Sequence, residues 1–158
     1  MAILNPVSNI ATMGQMPKAP WGNDDRLAEE YAQDPKAFML QRCALWMDNV
    51  EWMRAWVVAA TYYLPAFETL PGGQKWHRAQ STQDEALWQG KVGLVIGIGP
   101  LAFVEDGRLK FGGQSVEIGD WVQYDIHYGH QFTINQIHCR LLKDVDIIAK
   151  LKDPKLVY

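Results

Sequence analysis

A run of short apolar segments, each cut by turn residues, fills residues 90–151 and leaves this chain few folds to choose from. Residues 91–98 are apolar after Lys91, interrupted by Gly93 and closed by Gly97 and Gly99. Glu105-Asp106-Gly107-Arg108 carries the Asp-Gly pair of a tight β-hairpin, a turn whose central positions need positive φ. Gly112-Gly113 then ends the second arm of that hairpin. Ile118-Gly119-Asp120 turns into Trp121-Val122, and Tyr128-Gly129-His130 makes the next turn. Residues 132–142 offer two more strand arms around Asn135-Gln136. Turn signals at intervals of about 8–12 residues predict a small all-β barrel or sandwich.

The stretch before this block reads differently. Asp34-Pro35 is a helix start, with Asp as the cap and Pro at the first helical position, where its missing N–H costs nothing. Phe38, Leu40, Ala44, Leu45 and Met47 supply the apolar positions of one short amphipathic helix, stopped at Asp48-Asn49 and expected to lie over the β body as a lid. Trp52, Trp56, Tyr62 and Tyr63 flank or fill the first strand. Packing is the ordinary role for such aromatics, and a ligand-stacking platform is the lesser alternative.

The first residues have no period. Ile3, Leu4, Val7, Ile10, Met13, Met16 and Trp21 are scattered among Pro6, Gly14, Pro17, Pro20 and Gly22. Alone, such a segment cannot bury enough surface to offset its ordering entropy. Two readings stand, a floppy terminus and an extended arm anchored on another subunit. The apolar anchors favour the arm. The expected organisation is therefore an extended arm over 1–33, a helix over 34–49 and a β domain over 50–158, with a long loop at 64–89.

That loop is the longest irregular stretch, and loops of such length are usually functional or disordered. Leu70, Gly72 and Gly73 lead into Lys75-Trp76-His77-Arg78, a basic–aromatic patch. A docking contact with an acidic protein surface is the preferred reading of Lys75, Trp76 and Arg78, with a solvated loop close behind it.

Charge and composition remove other classes. A net charge of −3 supplies no field for nucleic acid or an anionic membrane, so neither is expected as a partner. The apolar run at 56–63 is far too short to span a bilayer, and residues 1–21 lack the basic start and apolar centre of a secretory leader. Cys43 and Cys139 are distant and unpatterned, the usage of buried thiols in a reducing compartment, and sequence alone does not pair them.

Candidate chemistry is thin. Gly97-Ile98-Gly99-Pro100-Leu101-Ala102 fits a dinucleotide-binding pattern, but that site needs a helix N-terminus next, and a turn is expected here. His127 and His130, with His138 nearby, fall short of three or four converging metal ligands. The carboxylates sit at turns and strand ends, and no nucleophile motif is present. No catalytic, cofactor-binding or metal-binding residue is expected.

The order of these signals resembles the GroES-like co-chaperonin family over about residues 50–151. The likeness lies in a Gly-x-Val strand, Gly-x-Gly, a hairpin with Asp-Gly, then Val116-Glu117-Ile118-Gly119-Asp120-Trp121-Val122 and the closing Asp146-Ile147-Ile148-Ala149. The resemblance implies a small β-barrel whose final strand pairs with a neighbouring subunit, and it places residues 64–89 where the family carries its chaperonin-binding loop. Gly72-Gly73 falls at the family's glycine pair. The aliphatic tripeptide that should follow is replaced by Gln74-Lys75-Trp76, and charged side chains cannot bury in an apolar groove without partners.

Two functions are expected to compete. The first is a non-enzymatic structural protein of a large assembly, most plausibly a phage capsid decoration or cement protein. The second is a phage-encoded co-chaperonin that caps a host chaperonin ring. Either puts the protein among other protein subunits, in the virion or the host cytoplasm. The residues expected to meet partners are the seven apolar anchors of the arm together with Leu70, Gly72, Gly73, Lys75, Trp76 and Arg78.

Overall fold

A computed structural model describes residues 19–78, 91–108 and 111–157. Among these residues two α-helices, α1 (Asp25–Gln33) and α2 (Pro35–Asn49), precede eight strands. These are β1 (Trp56–Thr61), β2 (Phe67–Thr69), β3 (Lys75–His77), β4 (Val92–Ile98), β5 (Trp121–Tyr124), β6 (His130–Ile134), β7 (Ile137–Lys143) and β8 (Ile147–Leu151).

The helices are set by two aspartates. Asp24 caps α1, its carboxylate accepting from the N–H groups of Arg26 and Leu27. Asp34 ends α1 through its N–H to the Glu30 carbonyl, and its side chain accepts from Ala37 N–H to start α2 with Pro35 at the first position. The helix expected at 34–49 is present. Residues 25–33, expected in an extended arm, form α1 instead. Leu27, Ala28, Tyr31 and Ala32 recur at helical spacing, and a Tyr31-led stripe goes into the core.

The main sheet is antiparallel and six-stranded, in the order β6-β7-β1-β4-β5-β8, while β2 and β3 form a separate hairpin. The mainly β expectation holds, with the sheet open: among the described residues, β6 and β8 end it and no ladder joins them into a barrel. The β6–β7 turn is Asn135-Gln136, both at positive φ (44° and 67°), the two-residue geometry whose twist suits paired strands. By contrast, the segment from Pro100 to Arg108 contains turns and bends but no strand, so the hairpin expected around Asp106-Gly107 has no arm on that side. Asp106 instead holds a local turn through its carboxylate to Arg108 N–H.

The long irregular stretch is also partly regular. Residues 67–77 form the β2–β3 hairpin, and residues 79–90 lie outside the described structure.

Alternation along the strands sorts the core into two layers. Val58, Ala60 and Tyr62 from β1 and beyond, Leu94 and Ile96 from β4, and Ile137 and Cys139 from β7 face the helices. They meet Tyr31, Phe38, Met39 and Cys43, and Trp121 closes the layer. Val57, Ala59, Val95, Val122, Tyr124 and Leu142 face the other side, under Val116, Ala102, Phe103 and Ile147. Central strands buried on both faces need near-continuous apolar runs, which is why β1 and β4 lack polar alternation. Each large apolar side chain buried this way contributes about 1.5–3 kcal/mol.

Gly97 and Gly99 owe their place to packing. A Cβ on Gly97 would collide with the Trp52 indole, and one on Gly99 with the Arg54 carbonyl. The Gly-x-Gly of the dinucleotide-like pattern lets the segment before β1 lie against the end of β4, and a turn, with no helix, follows Pro100.

Candidate functional site

Of the residues expected to meet a partner, Ile3, Leu4, Val7, Ile10, Met13 and Met16 lie outside the described residues. Trp21 is 7% exposed and packs on its own chain, with its ring 4.8 Å from that of Tyr31 and 6.2 Å from that of Tyr63. Its position is that of a core residue.

The remaining six fall together on the β2–β3 hairpin. Leu70 N–H donates to the Gln74 carbonyl and Gly73 N–H to the Leu70 carbonyl, while Gly72 and Gly73 sit at φ 102° and 86°. Such angles favour glycine, so the pair makes the turn itself. Register places Glu68 opposite Trp76, on the face away from Phe67 and Lys75. Trp76 is 50% exposed and Leu70 43%.

The cations of this hairpin are already engaged within the chain. Lys75 pairs with Glu29 of α1 at 2.7 Å, its ammonium 4.8 Å from the centre of the Phe67 ring. Arg78 pairs with Glu68, donates through Nε to the Pro65 carbonyl at 3.0 Å, and lies 5.4 Å from the centre of the Trp76 ring. Exposed pairs such as Lys75–Glu29 add little stability. They do reduce the free positive charge offered to an acidic partner, and the exposed Trp76 and Leu70 become the hairpin's outward feature.

A second surface was not singled out in the sequence. Among the described residues strand β8 is an edge, and beside it lies an open groove of about 470 Å³ lined by apolar side chains such as Phe103, Phe111, Val116 and Ile148 and by polar Gln114, Ser115, Asp144 and Lys150. Ile148 is 61% exposed and Val145 52%. Asp144 shapes the rim: it is buried, accepts from Phe103 N–H at 3.1 Å and Val145 N–H at 2.8 Å, and holds Phe103 at φ 59°. The signal was present in Ile147-Ile148, since adjacent residues of a strand face opposite sides and one isoleucine of an edge strand must point outward.

Buried polar groups gather where β1, β6 and β7 meet. Thr61 Oγ1 is 2.7 Å from His138 Nδ1, and His138 Nε2 is 3.3 Å from Gln131 Oε1. Because the amide oxygen only accepts, Nε2 carries the proton and Thr61 donates to Nδ1. Burial, reinforced by the Arg140 cation, pushes the His138 imidazole down to about 4. Arg140 donates to the carbonyls of Ile126 and Tyr128 and lies 5.5 Å from the centre of the Tyr124 ring. Burial lifts the Tyr124 phenol to about 12. Thr61, Tyr124, His138 and Arg140 are all buried, so this network sits where a substrate has no access and reads as sheet support.

The histidines of this region fall on different elements. His127 sits in a turn with its N–H to Asp125, while His130 lies on β6 beside Trp56. Among the described residues no three His, Cys, Asp or Glu stand together as a metal site, and no helix is long and apolar enough to cross a membrane.

Compared with known proteins, the chain matches no family model and no curated protein.

Proposed function

We propose that this chain is a non-enzymatic structural component of a large protein assembly, of the kind that decorates or cements a phage capsid. The observation that carries the reading is β8, which ends the sheet among the described residues and stands beside a groove of mixed apolar and polar lining with an outward Ile148. An open strand edge presents N–H and C=O groups that another chain can pair with, and the groove adds side-chain pockets beside them. The exposed Trp76 of the hairpin gives a second contact, of a residue type enriched at interface centres. A GroES-like relationship over residues 50–151 fits this reading, with the open edges of the sheet completed by neighbours. The virion and the host cytoplasm are the places where such a protein would act.

Quantitative mass spectrometry of purified particles tests the proposal. The chain is expected at fixed stoichiometry with the shell protein, and Ile148→Lys is expected to remain folded but be lost from particles. Absence of the wild-type chain from particles would overturn it.

The co-chaperonin reading draws support from one feature, the Gly72-Gly73 hairpin leaving the sheet between β1 and β4. It requires the purified protein to form a ring and to alter ATP-driven refolding by a chaperonin, with Trp76→Ala abolishing that effect.

A further inference from the structure

The two cysteines, far apart in sequence, meet in the helix-facing core. Cys43 lies one turn after Met39 on the inward stripe of α2, and Cys139 faces α2 from β7 between Ile137 and Leu141. Both are fully buried in one core cluster, where the Cys139 thiol donates to the Ile137 carbonyl at 3.5 Å and stands beside the Cys43 thiol. An independent contact fixes the approach: Asn135 at the β6–β7 turn donates to the carbonyl of Arg42, the residue before Cys43, at 3.1 Å. Opposite Cys139 on the neighbouring strand is Ala60, whose small side chain leaves room for the helix to come close.

We propose that Cys43 and Cys139 form a reversible dithiol–disulfide site, at which oxidation by a glutathione-type disulfide staples α2 to β7. The Cys43 thiolate attacks one sulfur of the small disulfide, forming a mixed disulfide and releasing one thiolate. The Cys139 thiolate then attacks the Cys43 sulfur, closing the protein disulfide and releasing the second thiolate. Two thiol protons and two electrons leave the protein, and two molecules of the small thiol are produced. The order follows from the environment: the neighbouring Cys139 thiol holds Cys43 below the usual thiol value, while burial pushes Cys139 well above it. Because neither sulfur reaches solvent, exchange waits for α2 to lift from the sheet, so the native state reacts slowly and the product is protected once formed.

The test uses the full-length chain, equilibrated with reduced and oxidised glutathione at neutral pH and in low urea, then alkylated and weighed intact. The expected product takes up no alkylating agent, carries no glutathione, forms faster as urea rises below the unfolding transition, and reverts with dithiothreitol. It should melt about 10 °C higher than the reduced chain, because the bond closes a long loop. Cys43→Ala and Cys139→Ala should each abolish the rise. If either variant fails to fold, the wild-type mass measurement decides. Two alkylated thiols at equilibrium, a stable glutathione adduct, or a disulfide that lowers the melting temperature would overturn the proposal.

Discussion

The Tyr31 hydroxyl of α1 binds both main-chain groups of Tyr63, donating to its carbonyl and accepting from its N–H, each at 2.8 Å. A helix side chain thus supplies the donor and acceptor of a missing strand just where the chain leaves β1. Tyr31 is fully buried and its ring lies among Trp21, Phe38 and Tyr62, so the hydroxyl is aimed by aromatic packing on three sides. Tyr31→Phe keeps that packing and removes both hydrogen bonds. We expect a loss of about 2 kcal/mol, read as a shift in urea midpoint with unchanged slope. No change would show that solvent replaces the tyrosine there.

His138 makes stability depend on acid. Its folded value, about 4, lies below the unfolded value of 6.5. Between these two the unfolded chain binds the proton and the folded chain does not, so stability rises with pH across the window and is lost as pH falls through it. The full span corresponds to about 3 kcal/mol. Urea midpoints measured from pH 7 to pH 4.5 should therefore fall more steeply in the wild-type chain than in His138→Gln. Parallel curves would mean that the carboxylates alone set the acid limit.

Gly97 is held by its neighbour Trp52. Gly97→Ala drives a methyl group into the indole and is expected to cost about 1–3 kcal/mol, the usual range for overpacking. Trp52 is only half-buried, so Trp52→Ala in the same chain should restore part of the loss. A double-mutant cycle that shows simple additivity would contradict the contact.

Surface and core should separate cleanly. Trp76→Ala and Ile148→Lys remove exposed side chains and are each expected to change stability by less than about 0.5 kcal/mol while weakening partner binding. Thermal unfolding beside a particle-incorporation assay distinguishes the two effects. A large drop in melting temperature for either variant would assign its side chain to the fold.

Particular elements show how far the sequence could be read. Helix α2 was legible because its start is local chemistry, an aspartate cap followed by proline. The β6–β7 hairpin was legible because Asn135-Gln136 separates two apolar arms by two residues. Helix α1 was missed although Asp24 and the Leu27–Ala28–Tyr31–Ala32 spacing announced it, since the prolines and glycines before it suggested an arm. The strand arm expected before Asp106-Gly107 does not form, because Phe103 is tied to Asp144 and the segment folds over the second core layer. Lys75 and Arg78 read as a free basic patch until their partners were placed, and Glu29 lies 46 residues from Lys75.

What the amino-acid order alone determined was the local repertoire: where turns fall, where helices are capped, and that β1 and β4 are apolar on both faces. Those features depend on neighbours a few residues apart, through φ preferences, capping and alternation. Only the tertiary structure decided that, among the described residues, β6 and β8 end the sheet, that Trp21 belongs to the core, that Lys75 and Arg78 are paired with carboxylates, and that Cys43 and Cys139 share one core cluster. Each of these depends on which distant surfaces come into contact, and the pairing of residues far apart in the chain is fixed by packing the whole core at once.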